Sequence, residues 1–161
     1  MSDVIIAGLG QTPVGEHWEL SLRSLAVKAM LAAIKDSGGL RPQALFVGNM
    51  LAPALSRQAH LGALLADFGG LHPGDEQDRV HRAGIEAETV EAGGASGAAA
   101  LRQGYMAVAS GLVDVALVVG VEKFTDVVGP EVEAALATAT DGDFEAIQGV
   151  TPTAQAAMLA R

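Results

Sequence analysis

The amino-acid sequence predicts an α/β domain built on an open, mostly parallel sheet of βαβαβα order. Two observations lead to this class: apolar runs alternate with stretches of helical period, and glycine or a capping residue marks each change from one to the other. The chain has 161 residues, of which 50% are hydrophobic, so it is long and apolar enough for one globular domain with a sizeable core. Parallel strands joined by crossing helices give the right-handed connections that are typical of doubly wound domains.

Two strands and two helices are predicted in the first part of the chain. Residues 3–9, DVIIAGL, form an apolar run that predicts a buried strand. A helix is expected to begin near Ser21, because apolar residues then recur on one stripe until Gly38 ends it. The run at 44–50, ALFVGNM, predicts the second strand. Ser56 is expected to cap the next helix, whose leucines and Phe68 face the core until Gly69 ends it.

The following three elements complete the predicted sheet. In residues 85–92, IEAETVEA, acidic side chains largely alternate with less polar ones. This pattern predicts a strand with one solvent-exposed face, at an edge of the sheet. The helix expected at 95–110 consists almost wholly of small and apolar residues and includes Tyr105. We therefore expect this central helix to be buried on nearly all sides. The apolar run within 114–121 predicts a strand that is buried on both faces.

The chain divides at about residue 126. Residues 1–126 hold all the predicted strands and form the core, whereas 127–161 begin a looser, acidic excursion. Thr153 is expected to cap a last helix, inside which the sequence ends at Arg161.

Composition excludes several functional classes. Lys and Arg number 10 against 19 Asp and Glu, a net charge of -9, which disfavours nucleic acid and anionic lipid as partners. The sequence has 0 cysteines, which excludes disulfides, zinc–thiolate sites and thiol catalysis in this chain. The longest apolar run, at 115–121, is too short to span a membrane, and the N-terminus lacks a basic signal region. We therefore expect a cytoplasmic location.

The motif with the most chemical content is AGGAS, residues 92–96, where a strand is predicted to turn into a helix. Such a turn lies beside unpaired backbone N–H groups and the positive end of the helix dipole, which together favour an anion. The amides of Gly94 and Ala95 could therefore bind an acyl carbonyl or a carboxylate. Close helix packing is the alternative explanation of these small residues. Ser96 could replace a nucleophile, but the local sequence supplies no base, so a capping or packing hydroxyl is favoured.

Other candidate residues give weaker signals. Glu122 and Lys123 follow the last strand, where ligands gather in parallel sheets, although adjacent opposite charges also mark a solvated strand exit. The histidines lie in separate segments without metal-ligand spacing, and no metal site is predicted. They are His17, His60, His72 and His81. The stretch at 8–15, GLGQTPVG, matches a dinucleotide-binding loop poorly, because a proline interrupts it.

The stretch VEAGGASGAAALRQGYMAVASGLVDVALVVGVEKFTD resembles the nucleophile region of the thiolase superfamily, and especially its branch related to sterol-carrier-protein thiolases. The stretches QTPVGEHWELSLRSLAVKAMLAAI and NMLAPALSRQAHLGALLADFGGL are similar to the same branch. That branch has V-E-A-A-C-A-S-G-G-A-A at the nucleophile, which places Gly94 where the cysteine stands. The resemblance covers nearly the whole chain as one half of a duplicated fold.

The resemblance implies an acyltransferase of lipid metabolism that makes or breaks carbon–carbon bonds on coenzyme A thioesters. The thioester is the substrate, and no separate cofactor is implied. A homodimer is implied, with the acid and base groups on a second thiolase half, or with a small OB-fold partner protein. Substrate binding would fall on Gly94, Ala95 and Ser96, with no residue assigned to catalysis, and we expect the chain to be inactive by itself. The alternatives are a non-catalytic coenzyme A thioester-binding or scaffold module and a degenerate fragment of the fold.

Overall fold

Three parallel strands form the centre of the domain in a computed structural model that describes residues 3–71 and 84–160. The sheet order is β2-β1-β3, with β1 at Ala44–Gly48, β2 at Glu86–Val90 and β3 at Ala116–Gly120. The register pairs Ala44 with both Glu86 and Ala116, so the three strands end level with one another. The predicted α/β class and parallel sheet are therefore confirmed, and β2 is an edge strand of the described sheet.

Helices cover both faces of this sheet. The connections and the C-terminal region contain α1 (Leu22–Asp36), α2 (Ala52–Leu55), α3 (Leu61–Phe68), α4 (Ser96–Ala109), α5 (Gly129–Ala137), a 3₁₀ turn (Ala146–Gln148) and α6 (Pro152–Leu159). Helices α1 and α3 pack on the face of β1 that carries Leu45 and Val47, and α4 packs on the face that carries Ala44 and Phe46. Because side chains alternate along a strand, β1 is buried on both faces.

The first helix begins and ends where the sequence predicts. Ser21 is its N-cap and accepts a hydrogen bond from the Ser24 amide at 3.2 Å. Its end is closed by Gly38 and Gly39, which both have positive φ, and the Gly39 amide donates to Ile34 at 2.8 Å. This is the closing bond of a Schellman-type ending, which satisfies a carbonyl of the last turn.

The predicted strand at 3–9 is wrong, because these residues form no strand. Ile5 and Ile6 are 79% and 73% exposed. The segment instead crosses α1: a Cβ on Gly8 or Gly10 would overlap the α1 backbone, and the Leu9 amide donates to Asp36 at 2.9 Å. A strand needs a neighbouring strand for its backbone groups, and no strand of the described chain pairs with this segment.

The expectation that the central helix is buried on nearly all sides is also wrong. The buried residues of α4 form one stripe, consisting of Ser96, Ala100, Gly104 and Ala107. Its opposite side exposes about half of Leu101, Tyr105 and Met106. Small residues let α4 approach the sheet closely, but among the described elements only the sheet packs on it, so the other side stays uncovered.

The region after residue 126 is more helical than the loose excursion that the sequence predicts. Helix α5 contributes the buried Ala135, whereas α6 buries no residue. Thr151 rather than Thr153 caps α6, since its hydroxyl accepts from the Ala154 amide at 3.2 Å and proline follows it at the first helical position. None of the helices within 3–71 and 84–160 has the length and apolar character needed to cross a membrane.

Glycines set the distance between α4 and the sheet. A Cβ on Gly48 would lie 2.7 Å from the Cα of Gly97 and 2.7 Å from the carbonyl oxygen of Ser96. A Cβ on Gly104 would lie 2.5 Å from a methyl group of Val118. The first turn of α4 therefore rests directly on the backbone of β1, at the carboxyl end of the strand.

This contact predicts that Gly48→Ala destabilises the domain, because the added methyl group has no space between two backbones. We expect a loss of about 1–3 kcal/mol in the free energy of unfolding, measured by urea denaturation. Gly120→Ala is the matched control, since Gly120 pairs with Gly48 in the sheet but its Cβ would have 3.9 Å to the Cα of Gly97. Equal losses in the two variants would contradict the close contact.

Candidate functional site

The glycine turn between β2 and α4 is held by its own hydrogen bonds. Gly93 has a φ of 57°, which favours glycine there. The Ser96 hydroxyl donates to the carbonyl oxygen of Gly93 at 2.7 Å and accepts from the Ala92 amide at 2.9 Å. The Ala95 amide donates to the carbonyl of Ala92 at 3.0 Å. The buried Ser96 hydroxyl is thus engaged in shaping the turn and does not cap α4, whose N-cap is Ala95, which favours the packing role over a nucleophile.

The turn leaves other backbone donors open. Within the described chain, the amides of Gly94, Gly97 and Ala98 have no hydrogen-bond acceptor. They lie at the start of α4, where the helix dipole is positive. The anion-binding amides expected at Gly94 and Ala95 are therefore available at Gly94, whereas the Ala95 amide is occupied.

Gly94 also has space around it. A Cβ added there would meet no atom within 4 Å, and its φ lies outside the left-handed region. A side chain could therefore stand at this position without strain, unlike at Gly93.

A cleft of about 340 Å³ lies at the carboxyl ends of the three strands. Its walls are formed by residues 48–51, by the turn at 93–97, and by residues 120–122 and 124, with Leu136 beside them. Parallel α/β sheets bind ligands at this end, because the loops there face the helix N-termini. Gly94 and Gly97, whose amides are free, both line this cleft.

Asn49 joins the ends of the strands. It is 2% exposed, its amide donates to Val90 of β2 at 3.1 Å, and its side chain donates to the carbonyl of Val121 at 2.8 Å. Its side-chain oxygen accepts from the Ala52 amide at 3.0 Å. The backbone amide of Asn49 therefore joins the end of β1 to β2, and its buried side chain joins the same point to the end of β3 and to α2. The sequence signal that could have found it is a polar residue directly after a wholly apolar strand.

Glu122 completes this network. Its carboxylate accepts from the amides of Leu51 at 2.9 Å and Met50 at 3.3 Å, and from the side chain of Asn49. Burial raises the pKa of Glu122 above its usual value, although the two backbone hydrogen bonds act to lower it. Of the described residues that line the cleft, Glu122 alone is ionisable.

Lys123 points to a different place. The Lys123 side chain is buried and forms an ion pair with Asp126. Both Glu122 and Lys123 also line a second cavity of about 560 Å³, which lies beside residues 10–17 and α1. The alternative of a solvated strand exit is therefore wrong for Glu122 and Lys123.

The histidines are not drawn together. His17 hydrogen-bonds the carbonyl of Pro13 at 2.7 Å, and His60 is exposed. His72 and His81 lie outside the described residues, which contain no cluster of metal-ligating side chains.

Comparison with known proteins identifies the family. The model of the thiolase N-terminal domain matches residues 4–159. The chain belongs to the thiolase family. It is 45% identical over 163 aligned residues to the acetyl-CoA acetyltransferase of Methanothermobacter thermautotrophicus and 43% identical to that of Methanocaldococcus jannaschii. All of the chain is covered in both cases, and it spans 39% and 38% of the two relatives.

The raised pKa of Glu122 gives this thiolase-family domain a defined pH dependence. The folded state binds the proton more tightly than the unfolded state, so the stability that Glu122 contributes is present in acid and is lost as pH rises through the raised pKa. We expect the free energy of unfolding of the wild type, relative to Glu122→Gln, to fall as pH rises above the usual glutamate pKa.

Denaturant titrations at a series of pH values measure this difference. Glu133→Gln is the control, because Glu133 is exposed on α5. A wild-type curve that stays parallel to the Glu122→Gln curve would show that burial does not govern this carboxyl group.

Proposed function

We propose that the chain is the N-terminal, thioester-binding half of a thiolase-like enzyme that acts on acyl-coenzyme A. The observation that carries the proposal is the cleft at the strand ends, where the amides of Gly94 and Gly97 are free at the start of α4. Such amides are suited to a thioester carbonyl as it gains negative charge. Two relatives named acetyl-CoA acetyltransferase support the substrate class.

The proposed chemistry is non-covalent at this turn. In the branch related to sterol-carrier-protein thiolases, which the sequence resembles, a cysteine stands where this chain has Gly94. The chain has no cysteine, and the hydroxyl of Ser96 is engaged within the turn. A Claisen or retro-aldol reaction on a coenzyme A thioester fits a site that binds and polarises the carbonyl without forming an acyl-enzyme. The thioester is the substrate, and we propose no separate cofactor.

A second thiolase half is the proposed source of the acid and base groups. The uncovered side of α4, with Leu101, Tyr105 and Met106, and the exposed Ile5 and Ile6 are apolar surfaces that another protein part would cover. A small OB-fold protein is the other proposed partner. We place the protein in the cytoplasm and in lipid metabolism on the family resemblance.

A non-catalytic coenzyme A thioester-binding or scaffold module is the second candidate. It is favoured by one observation: Glu122, the ionisable residue of the described cleft, already accepts three hydrogen bonds from the protein. General acid–base groups contribute about 10²- to 10⁴-fold in rate, so amide donors without such a group would bind more than they catalyse.

We expect the chain to bind acetyl-CoA without forming an acetyl adduct or turning over acetoacetyl-CoA with coenzyme A. Calorimetry, intact mass and a thiolysis assay measure the three quantities. The assay is repeated with the candidate second half added. An acetyl adduct on Ser96 would contradict the non-covalent proposal, and the absence of any binding would contradict the thioester site.

Gly94→Cys provides a positive test of the same position. The new thiol stands at the positive end of α4, so its pKa should be lowered and its alkylation faster than that of a thiol in an open loop. Gly142→Cys is the matched control, since a Cβ there also meets nothing within 4 Å.

We also propose a homodimer that forms through β2. The carbonyl of Val90 faces β1, where it accepts from Asn49, so the amides of alternate residues, Ala87 and Thr89, face the free edge. If two copies of β2 paired across a two-fold axis, the free backbone groups of each edge would hydrogen-bond to those of the other.

Ala87→Pro should therefore weaken the dimer, because it removes an outward donor while leaving the pairing with β1 in place. Ala87→Val keeps the amide and serves as control. Analytical ultracentrifugation at micromolar concentration measures the change. A monomeric wild type, or a dimer that Ala87→Pro leaves intact, would count against this interface.

A further inference from the structure

The loop at 49–52 depends in part on an acceptor that it does not contain. Helix α2 has four residues, and its N-cap, Leu51, offers no side-chain hydrogen bond. A helix this short is not stable by itself, and the amides that precede it need partners. Those partners come from Glu122, 71 residues away from Leu51, and from Asn49.

A carboxylate fits this place better than an amide would. Three donors converge on Glu122: the amides of Met50 and Leu51, and the side-chain amide of Asn49. An ionised carboxylate only accepts hydrogen bonds, whereas a glutamine would turn its own N–H₂ group towards a donor. A half-buried charge is costly, and the convergent donors offset part of that cost.

We propose that Glu122 is a positioning residue that determines where a carbonyl group binds in the cleft. By occupying the amides of Met50 and Leu51, it keeps the 49–52 loop as a fixed wall and withdraws these donors from a ligand. The amides of Gly94 and Gly97 are then among the donors that stay open along the cleft. The role in ligand placement rests on the proposed thioester site, whereas the restraint on the loop does not.

Hydrogen–deuterium exchange tests the restraint directly in the purified protein. In Glu122→Gln, the peptide over 49–55 should exchange at least about tenfold faster, as expected when hydrogen bonds to a charged group are lost. Residues 44–48 of β1 should keep their wild-type protection, which shows that the fold is intact. Glu122→Asp keeps the charge but is one methylene shorter, so it should also accelerate exchange at 49–55. It replaces the glutamine variant if that variant does not fold.

Acetyl-CoA affinity tests the placement role. Glu122→Gln and Glu122→Asp should bind acetyl-CoA at least about fivefold more weakly, because the loosened loop must be ordered when the ligand binds. The exposed Glu133→Gln should match the wild type in both measurements.

Each outcome decides a separate statement. Unchanged exchange at 49–55 would overturn the restraint. Faster exchange with unchanged acetyl-CoA affinity would overturn the positioning role and leave a purely structural one. A wild type that does not bind acetyl-CoA would overturn the proposed function, while the exchange experiment would still decide whether Glu122 holds the loop.

Discussion

The close contact between β1 and the first turn of α4 is the constraint on which the arrangement of the site depends. Gly48 has no side chain, so the backbone at Ser96 and Gly97 rests directly on the strand. Gly120 stands beside Gly48 in the sheet but lies farther from this turn of α4. The start of a helix is thereby brought to the carboxyl ends of parallel strands, and its unpaired amides become part of a cleft rather than of the outer surface.

The polar groups of the cleft divide into donors that the protein uses and donors that it leaves open. Asn49 and Glu122 use the donors of one wall, and the Ser96 hydroxyl and Ala95 amide are used within the glycine turn. The Gly94 amide remains open, in a chain whose net charge of -9 otherwise disfavours anions. Local backbone polarity, rather than overall charge, is therefore the feature that suits this site to the thioester carbonyl that we propose it binds.

The elements with strong periodicity were predicted well. Strand β1 and helices α1 and α4 lie within a few residues of their expected bounds, because each has a regular apolar pattern and a glycine or capping residue at an end. The predicted cap of α3 is wrong, because Ser56 ends α2 and α3 begins only at Leu61. The segment at 3–9 has an equally apolar pattern but forms no strand, since an apolar run describes what a strand would bury and not whether a neighbour exists to pair with it. The small residues of α4 likewise show that something packs closely, but not on how many sides.

The sequence by itself determined the class of the fold, the location of the glycine turn and the lack of a thiol, because these follow from local patterns and from composition. Only the tertiary structure showed that Asn49 and Glu122, 73 residues apart, share one hydrogen-bond network in the cleft that the turn also lines. It also showed that the Ala95 amide is occupied while the Gly94 amide is open. The physical reason is that burial and hydrogen bonding depend on which two groups are neighbours in the folded chain. A sequence shows each group separately, and only the folded backbone decides which two come within bonding distance.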